Sequence, residues 1–174
     1  TVPDPGPLEE IDQSLLDVIE EGFNTVAREM EAVHLRAALG EAMRLAGEVN
    51  RYLDQTAPWA TLKTDRQAAA RAVFVALKAI DSLKILFSPF LPHTSEKLHT
   101  FFGGKAPLFG SQYLETHQDS LGQHTVLRYD GQNASGRWEP SSLQPGQQLN
   151  QPGPLFKKLE PKIIEEERAR LGIL

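Results

Sequence analysis

The sequence contains no cysteine, which excludes a disulfide framework and any thiolate metal site and suits a reducing compartment. It contains no apolar run near the roughly 18 residues that a membrane-spanning helix requires. No basic stretch leads into an apolar one at its start, so the expected setting is cytoplasmic, with no membrane partner. An excess of positive charge is also missing: 18 Lys and Arg stand against 23 Asp and Glu, a net charge of −5. That argues against a broad basic face gripping nucleic acid, and DNA is not an expected partner. An RNA contact would be local, through a few stacked or hydrogen-bonded bases.

Catalytic signatures are absent too. There is no Gly-x-Ser-x-Gly elbow, no phosphate-binding glycine loop and no Cys nucleophile. His93 and Ser95 lie close in sequence, but on a helix start they point different ways and no third group orients them. The five histidines (34, 93, 99, 117 and 124) never take the i,i+4 spacing of a helical zinc pair. Glu165 to Glu167 read as a solvated face, and Asn133-Ala134-Ser135 is a glycosylation sequon without a secretion signal. The chain itself is read as non-catalytic and without a metal site.

What is present is 174 residues with 40% hydrophobic content, enough for one domain with its own core and an appendage. The opening Thr1-Val2-Pro3-Asp4-Pro5-Gly6-Pro7 has no initiator Met, and the chain is expected to be a fragment of something longer. Leu8, Ile11, Leu15, Ile19, Phe23 (or Gly22), Val26 and Met30 recur at helical spacing, which predicts an amphipathic helix over 8–31, with Pro7 at its start. Glu9, Glu10, Asp12, Asp17, Glu20 and Glu21 occupy its other face. Leu35, Leu39, Ala42, Ala46, Val49 and Leu53 define a second helix. Thr64 or Asp65 caps a third, with a stripe of Ala69, Ala72, Val73, Ala76, Ile80, Leu83 and Phe87 that makes it the most buried of the set. Pro92 opens a fourth, with Thr94 as a cap and Leu98 and Phe101 facing inward, and Gly103-Gly104 stops it. The expected fold is all-α, an up-and-down bundle over 1–102.

Residues 103–153 lose helical periodicity and are rich in Gly, Pro, Gln and Ser, the pattern of an irregular extension lying on the bundle. Thr125 to Tyr129 reads as a short strand, turned by Asp130-Gly131 towards an extended piece at 136–139. Trp138, Leu143 and Leu149 are its expected anchors. In the last segment, 154–174, Leu155, Phe156 and Leu159 are expected to dock, and Pro161 opens a final helix capped by Gly172.

The second helix runs into Asn50-Arg51-Tyr52-Leu53-Asp54-Gln55-Thr56-Ala57-Pro58-Trp59. Pro58 lacks a backbone N–H and pushes Ala57 out of the helical region, so the helix ends at about Thr56. Trp59 is then either a plug for the end of the bundle or an exposed stacking surface, with Arg51, Lys63 and Arg66 close in sequence. Unpaired RNA bases are held in the second way. Asn50 and Asp54, at i,i+4, are either a solvated edge, a fastening of the Pro58 turn, or polar groups beside a base.

This decamer closely resembles one in methionyl-tRNA synthetases. Leu86-Phe87-Ser88-Pro89-Phe90-Leu91-Pro92 and Thr94-Ser95-Glu96-Lys97-Leu98 are similar to that family and, more loosely, to the leucyl, isoleucyl and valyl enzymes. The resemblance covers residues 8 to 102, and the segment from Pro154 is similar to the family's C-terminal end, which folds back along the bundle. It implies the class I synthetase anticodon-binding bundle, which reads the CAU anticodon of methionine and initiator tRNAs. By that resemblance Trp59 stacks on the first anticodon base, Pro58 holds the ring, and Asn50, Asp54 and Arg51 complete the site. The nucleotide-binding fold with its HIGH-like and KMSKS-like signatures is absent, so ATP, and zinc as a second candidate cofactor, belong to the parent enzyme. The catalytic domain of the same parent chain is an implied partner. The family's Asn and Arg that read the base edge are expected on a helix ahead of residue 1, so this chain alone is expected to bind tRNA weakly and with poor discrimination. A reading of a different class, a helical protein-interaction or regulatory bundle without RNA binding, makes Trp59 a buried plug or a protein hot spot.

Overall fold

The computed structural model describes residues 1–156 and 158–172. Lys157 and the last two residues of the expected 154–174 segment lie outside them. Helices α1 (Glu10–Glu31), α2 (Leu35–Thr56) and α4 (Arg66–Leu86) pack against one another, with a one-turn helix α3 (Pro58–Thr61) between the last two and α5 (Pro92–Phe101) against α4. The bundle is therefore built on three long helices, and the fourth is half their length.

The local signals act where expected. Asp65 Oδ1 accepts from the Ala68 N–H at 2.9 Å, capping α4, and Gly103 ends α5's last turn at φ 85°. Thr94 makes no cap bond; Leu91 holds the cap position. Helix α1 starts two residues later than its apolar stripe, at the Glu9 N-cap. Helix α4 buries more residues than α1 or α2, in keeping with its apolar sequence.

The buried face of α2 is rotated from the expected one. Ala38, Ala42, Leu45, Val49 and Tyr52 point inward, while Leu35 and Leu39 are exposed. Small residues face in because the helices approach closely: a Cβ placed on Gly22 of α1 would overlap Leu45 Cδ1. Alanines on α4 (Ala69, Ala72, Ala76, Ala79) serve the same close packing.

The fold is not purely helical. Strands β1 (Ser111–Asp119) and β2 (Gly122–Asp130) form an antiparallel hairpin, with Glu115 opposite Val126 and Asp119 opposite Gly122. The strand expected over 125–129 is present, but its partner precedes it, and the tight turn is at Ser120-Leu121 rather than Asp130-Gly131. The alternation that would have revealed β1 is missing because Tyr113, Leu114, Leu127 and Tyr129 are all exposed, so neither face reads as a buried one.

Beyond the hairpin, the chain returns across the bundle. The Trp138 indole stands edge-on to Phe23, 5.6 Å between centroids, and donates Nε1–H to the Phe23 carbonyl at 3.2 Å. Leu143 is buried in the core and Leu149 packs against it. Val2 is buried beside them, its backbone paired with Gly146 and Gln147. The terminal helix α6 (Lys162–Arg170) buries none of its residues. Phe156 and Leu159, expected to dock, are exposed, Leu155 is half-buried, and the segment is held by Lys97 Nζ donating to the Pro154 carbonyl at 2.6 Å.

Candidate functional site

At the end of α2, Ala57 takes the left-handed conformation, φ 38° and ψ 59°, and its N–H closes the helix on Leu53 O at 2.9 Å. Left-handed backbone is unfavourable for any residue with a Cβ, and the right-handed alternative is disfavoured before proline. Pro58 then occupies the first position of α3, where no N–H is needed. Its ring is buried, and the next side chain goes the other way: Trp59 is 62% exposed. A plug at the end of the bundle is not how this indole sits. Leu62, three residues on, is also exposed, so the turn presents an apolar pair that sequence reading missed. Spacing i,i+3 on a helical turn was the signal for it.

Asn50 and Asp54 are both exposed on α2. Among the described residues they do not fasten the turn; Thr56 and Thr61 do. Thr56 Oγ1 donates to Tyr52 O at 2.8 Å, and Thr61 Oγ1 donates to Ala57 O at 3.0 Å and lies 3.3 Å from Thr56 O. Arg51 is exposed and paired, Nη1 to Glu48 Oε2 at 2.6 Å. It ends a row in which Arg44 bridges Glu41 and Glu48, and the Arg44 hydrogen bond holds the Glu41 carboxyl below its usual range. Lys63 and Arg66 flank the turn and are exposed.

Beneath the turn lies a polar centre that corrects the sequence reading of Asp12. Placed on the solvent face by its neighbours, Asp12 is 2% exposed. Its Oδ1 accepts from the Tyr52 hydroxyl at 2.6 Å; its Oδ2 accepts from the Glu9 N–H at 2.8 Å and faces Arg71 Nε at 3.1 Å. Arg71 also pairs with Glu9. The Glu9-x-x-Asp12 spacing, an acidic N3 residue reaching back to its cap, was a legible signal. The partners from α2 and α4 were not.

Burial, and then the bond to Asp12, pushes the Tyr52 hydroxyl well above its ordinary range. A raised folded-state value leaves stability intact below the unfolded tyrosine pKa of about 10 and removes it as pH rises further, by roughly 1.4 kcal/mol per pH unit. Urea unfolding from about pH 9 to about pH 11 should show this steeper loss in the native chain, while Tyr52→Phe should show only the slope of its other groups. Identical slopes would mean that Tyr52 is not held neutral in the folded state.

A second polar cleft lies around Lys84, Asp81, His99 and Ser141. Lys84 Nζ donates to Asp81 Oδ1 at 2.6 Å, and Ser141 Oγ to Asp81 Oδ2 at 2.7 Å. Among the described residues no buried side-chain N or O lacks a partner, and no three His, Asp or Glu side chains converge to hold a metal. No helix among them is long and apolar enough to cross a membrane.

Comparison with known proteins gives this geometry a family. The model of the anticodon binding domain of methionyl tRNA ligase matches residues 2–124. Methionine--tRNA ligases of Thermomicrobium roseum and Chloroflexus aggregans are 51% and 45% identical over 98% of this chain, which spans 29% of the length of each. Among solved structures, the free state of Mycobacterium tuberculosis methionyl-tRNA synthetase superposes with a TM-score of 0.68 at 20% identity, over 92% of this chain and 28% of that one. The same enzyme bound by methionyl-adenylate gives 0.54 at 23% identity, over 59% of this chain and 21% of that one. At those identities the superpositions establish the fold. The match of the family model over most of the chain shows that it belongs to the anticodon-binding domain family of methionyl-tRNA ligase.

Proposed function

We propose that this domain binds the anticodon loop of methionine and initiator tRNAs and holds the first base of CAU by stacking on Trp59. One observation carries the reading: a 62% exposed indole on a turn that a left-handed Ala57 and a buried Pro58 hold in place. A base has a π-face to offer and needs an aromatic platform that does not collapse onto the protein. In this reading Pro58 backs the ring, and Asn50 and Asp54 supply polar groups beside the base. Arg51, Lys63 and Arg66 contribute a local positive field. Arg51 is already neutralised by Glu48, so its share is the smallest. Activation of methionine with ATP, and most of the phosphate grip, belong to the remainder of a longer ligase.

The alternative, a helical interaction module without RNA binding, requires Trp59 to be a protein hot spot. Titrating the fluorescence of a Trp138→Phe chain with a CAU anticodon stem-loop separates the two. Binding is expected to be weak, and Trp59 emission should be quenched at lower RNA concentration by CAU than by a scrambled anticodon. Equal quenching by both would remove base recognition from the reading. No quenching by either would favour the interaction module.

A further inference from the structure

Base reading leaves Tyr52 of the decamer without a role. Tyr52 is buried and points away from solvent to a carboxylate on another helix. Its contacts nonetheless form a continuous relay to the turn. Asp12 Oδ1 accepts from the Tyr52 hydroxyl. The Tyr52 carbonyl accepts from the Thr56 hydroxyl. The carbonyls of Thr56 and Ala57 share the Thr61 hydroxyl, at the far end of α3. Arg71 of α4 and the Glu9 N–H of α1 fix the Asp12 carboxylate from its other side.

We infer that Asp12 is a positioning residue for the base platform: through Tyr52, Thr56 and Thr61 it ties the turn carrying Trp59 to the first turn of α1 and, through Arg71, to α4. The inference rests on the stacking reading of Trp59 and adds that three helices, not Pro58 alone, set the ring's rigidity. Pre-ordering matters because immobilising a free side chain on binding costs about 0.5–1.5 kcal/mol, a large share of what one stacked base returns.

The test follows the ring itself. In the Trp138→Phe chain Trp59 is the sole indole, and time-resolved fluorescence anisotropy of the free protein reports its nanosecond motion. Tyr52→Phe keeps the packed ring and deletes the hydroxyl. Thr61→Val breaks the last link at a half-buried position, and it serves if the first variant unfolds. Both should enlarge the fast local motion of Trp59 with unchanged far-UV circular dichroism. Both should also weaken CAU stem-loop binding by about fivefold or more. A role in stability alone would lower the melting temperature without loosening the ring. Equal anisotropy in all folded proteins overturns the inference, whatever the RNA does. A loosened ring in a chain whose unsubstituted form ignores CAU overturns base stacking and leaves the relay standing.

Discussion

Replacing Trp59 by Ala is expected to weaken CAU stem-loop binding by about 1–3 kcal/mol, a factor of roughly 5 to 150 in Kd, while leaving the fold untouched. The two halves of that expectation come from one number. A side chain that is 62% exposed has little packing to lose, so urea unfolding midpoints of the variant and native chain should agree within the scatter of surface substitutions, about 0.5 kcal/mol. The whole effect should appear in binding. Trp59→Phe should retain part of the affinity, because a smaller ring still offers a π-face, and Trp59→Leu should not, although it is apolar. An Ala variant that binds CAU as well as the native chain would place the reader elsewhere on the domain. A variant with a strongly lowered unfolding midpoint would show that the indole packs more than its exposure implies.

The second large effect is on stability and comes from the buried end of the same region. Asp12→Ala removes the acceptor for the Tyr52 hydroxyl and the buried partner of Arg71, whose side chain is 16% exposed, leaving that guanidinium only the exposed Glu9 carboxylate. Breaking a buried charge pair from one side typically costs about 3–5 kcal/mol, which for a domain of this size corresponds to a fall in melting temperature on the order of 10 °C. Glu9→Ala is the control. Glu9 pairs with the same guanidinium, but its side chain is 62% exposed, and its loss should cost less than about 1 kcal/mol. Thermal melts of both variants decide whether the ion pair is anchored from inside or from solvent. Equal, small shifts would mean that Asp12 is solvated in the folded state.

These two residues mark the boundary of what sequence reading reached. Trp59 was found from a local feature: Ala-Pro-Trp stops a periodic helix and strands an aromatic just beyond it. Asp12 was misplaced, because along α1 it sits among Glu9, Glu10 and Asp17 and shares their composition. The capping spacing from Glu9 marks it as a residue that reaches back to the cap, but nothing within the helix says that it is buried. Its partner Tyr52 is 40 residues away, and Arg71 still farther. The same division runs through the core. The stripe of α2 was legible as a helix, but its inward face was read from the regular spacing that begins at Leu35, which leaves out Ala38, Leu45 and Tyr52. In the folded domain Gly22 and the alanines of α4 bring the helices so close that Ala38 and Ala42 point inward and Leu35 stays out.

By itself, then, the sequence determined the elements whose causes are local: the helical periods, the break at Pro58, the Asp65 cap, the stop at Gly103, and the decamer that resembles its family. The tertiary structure alone decided which carboxylate is buried, which face of α2 turns inward, how β1 pairs with β2, and that Trp59 stands free. Helix starts, caps and stops are fixed by bonds spanning a few residues, and these leave a pattern in the chain. Burial is fixed by whatever another segment brings alongside, and an Asp that meets a Tyr and an Arg is spelled the same as one that meets water.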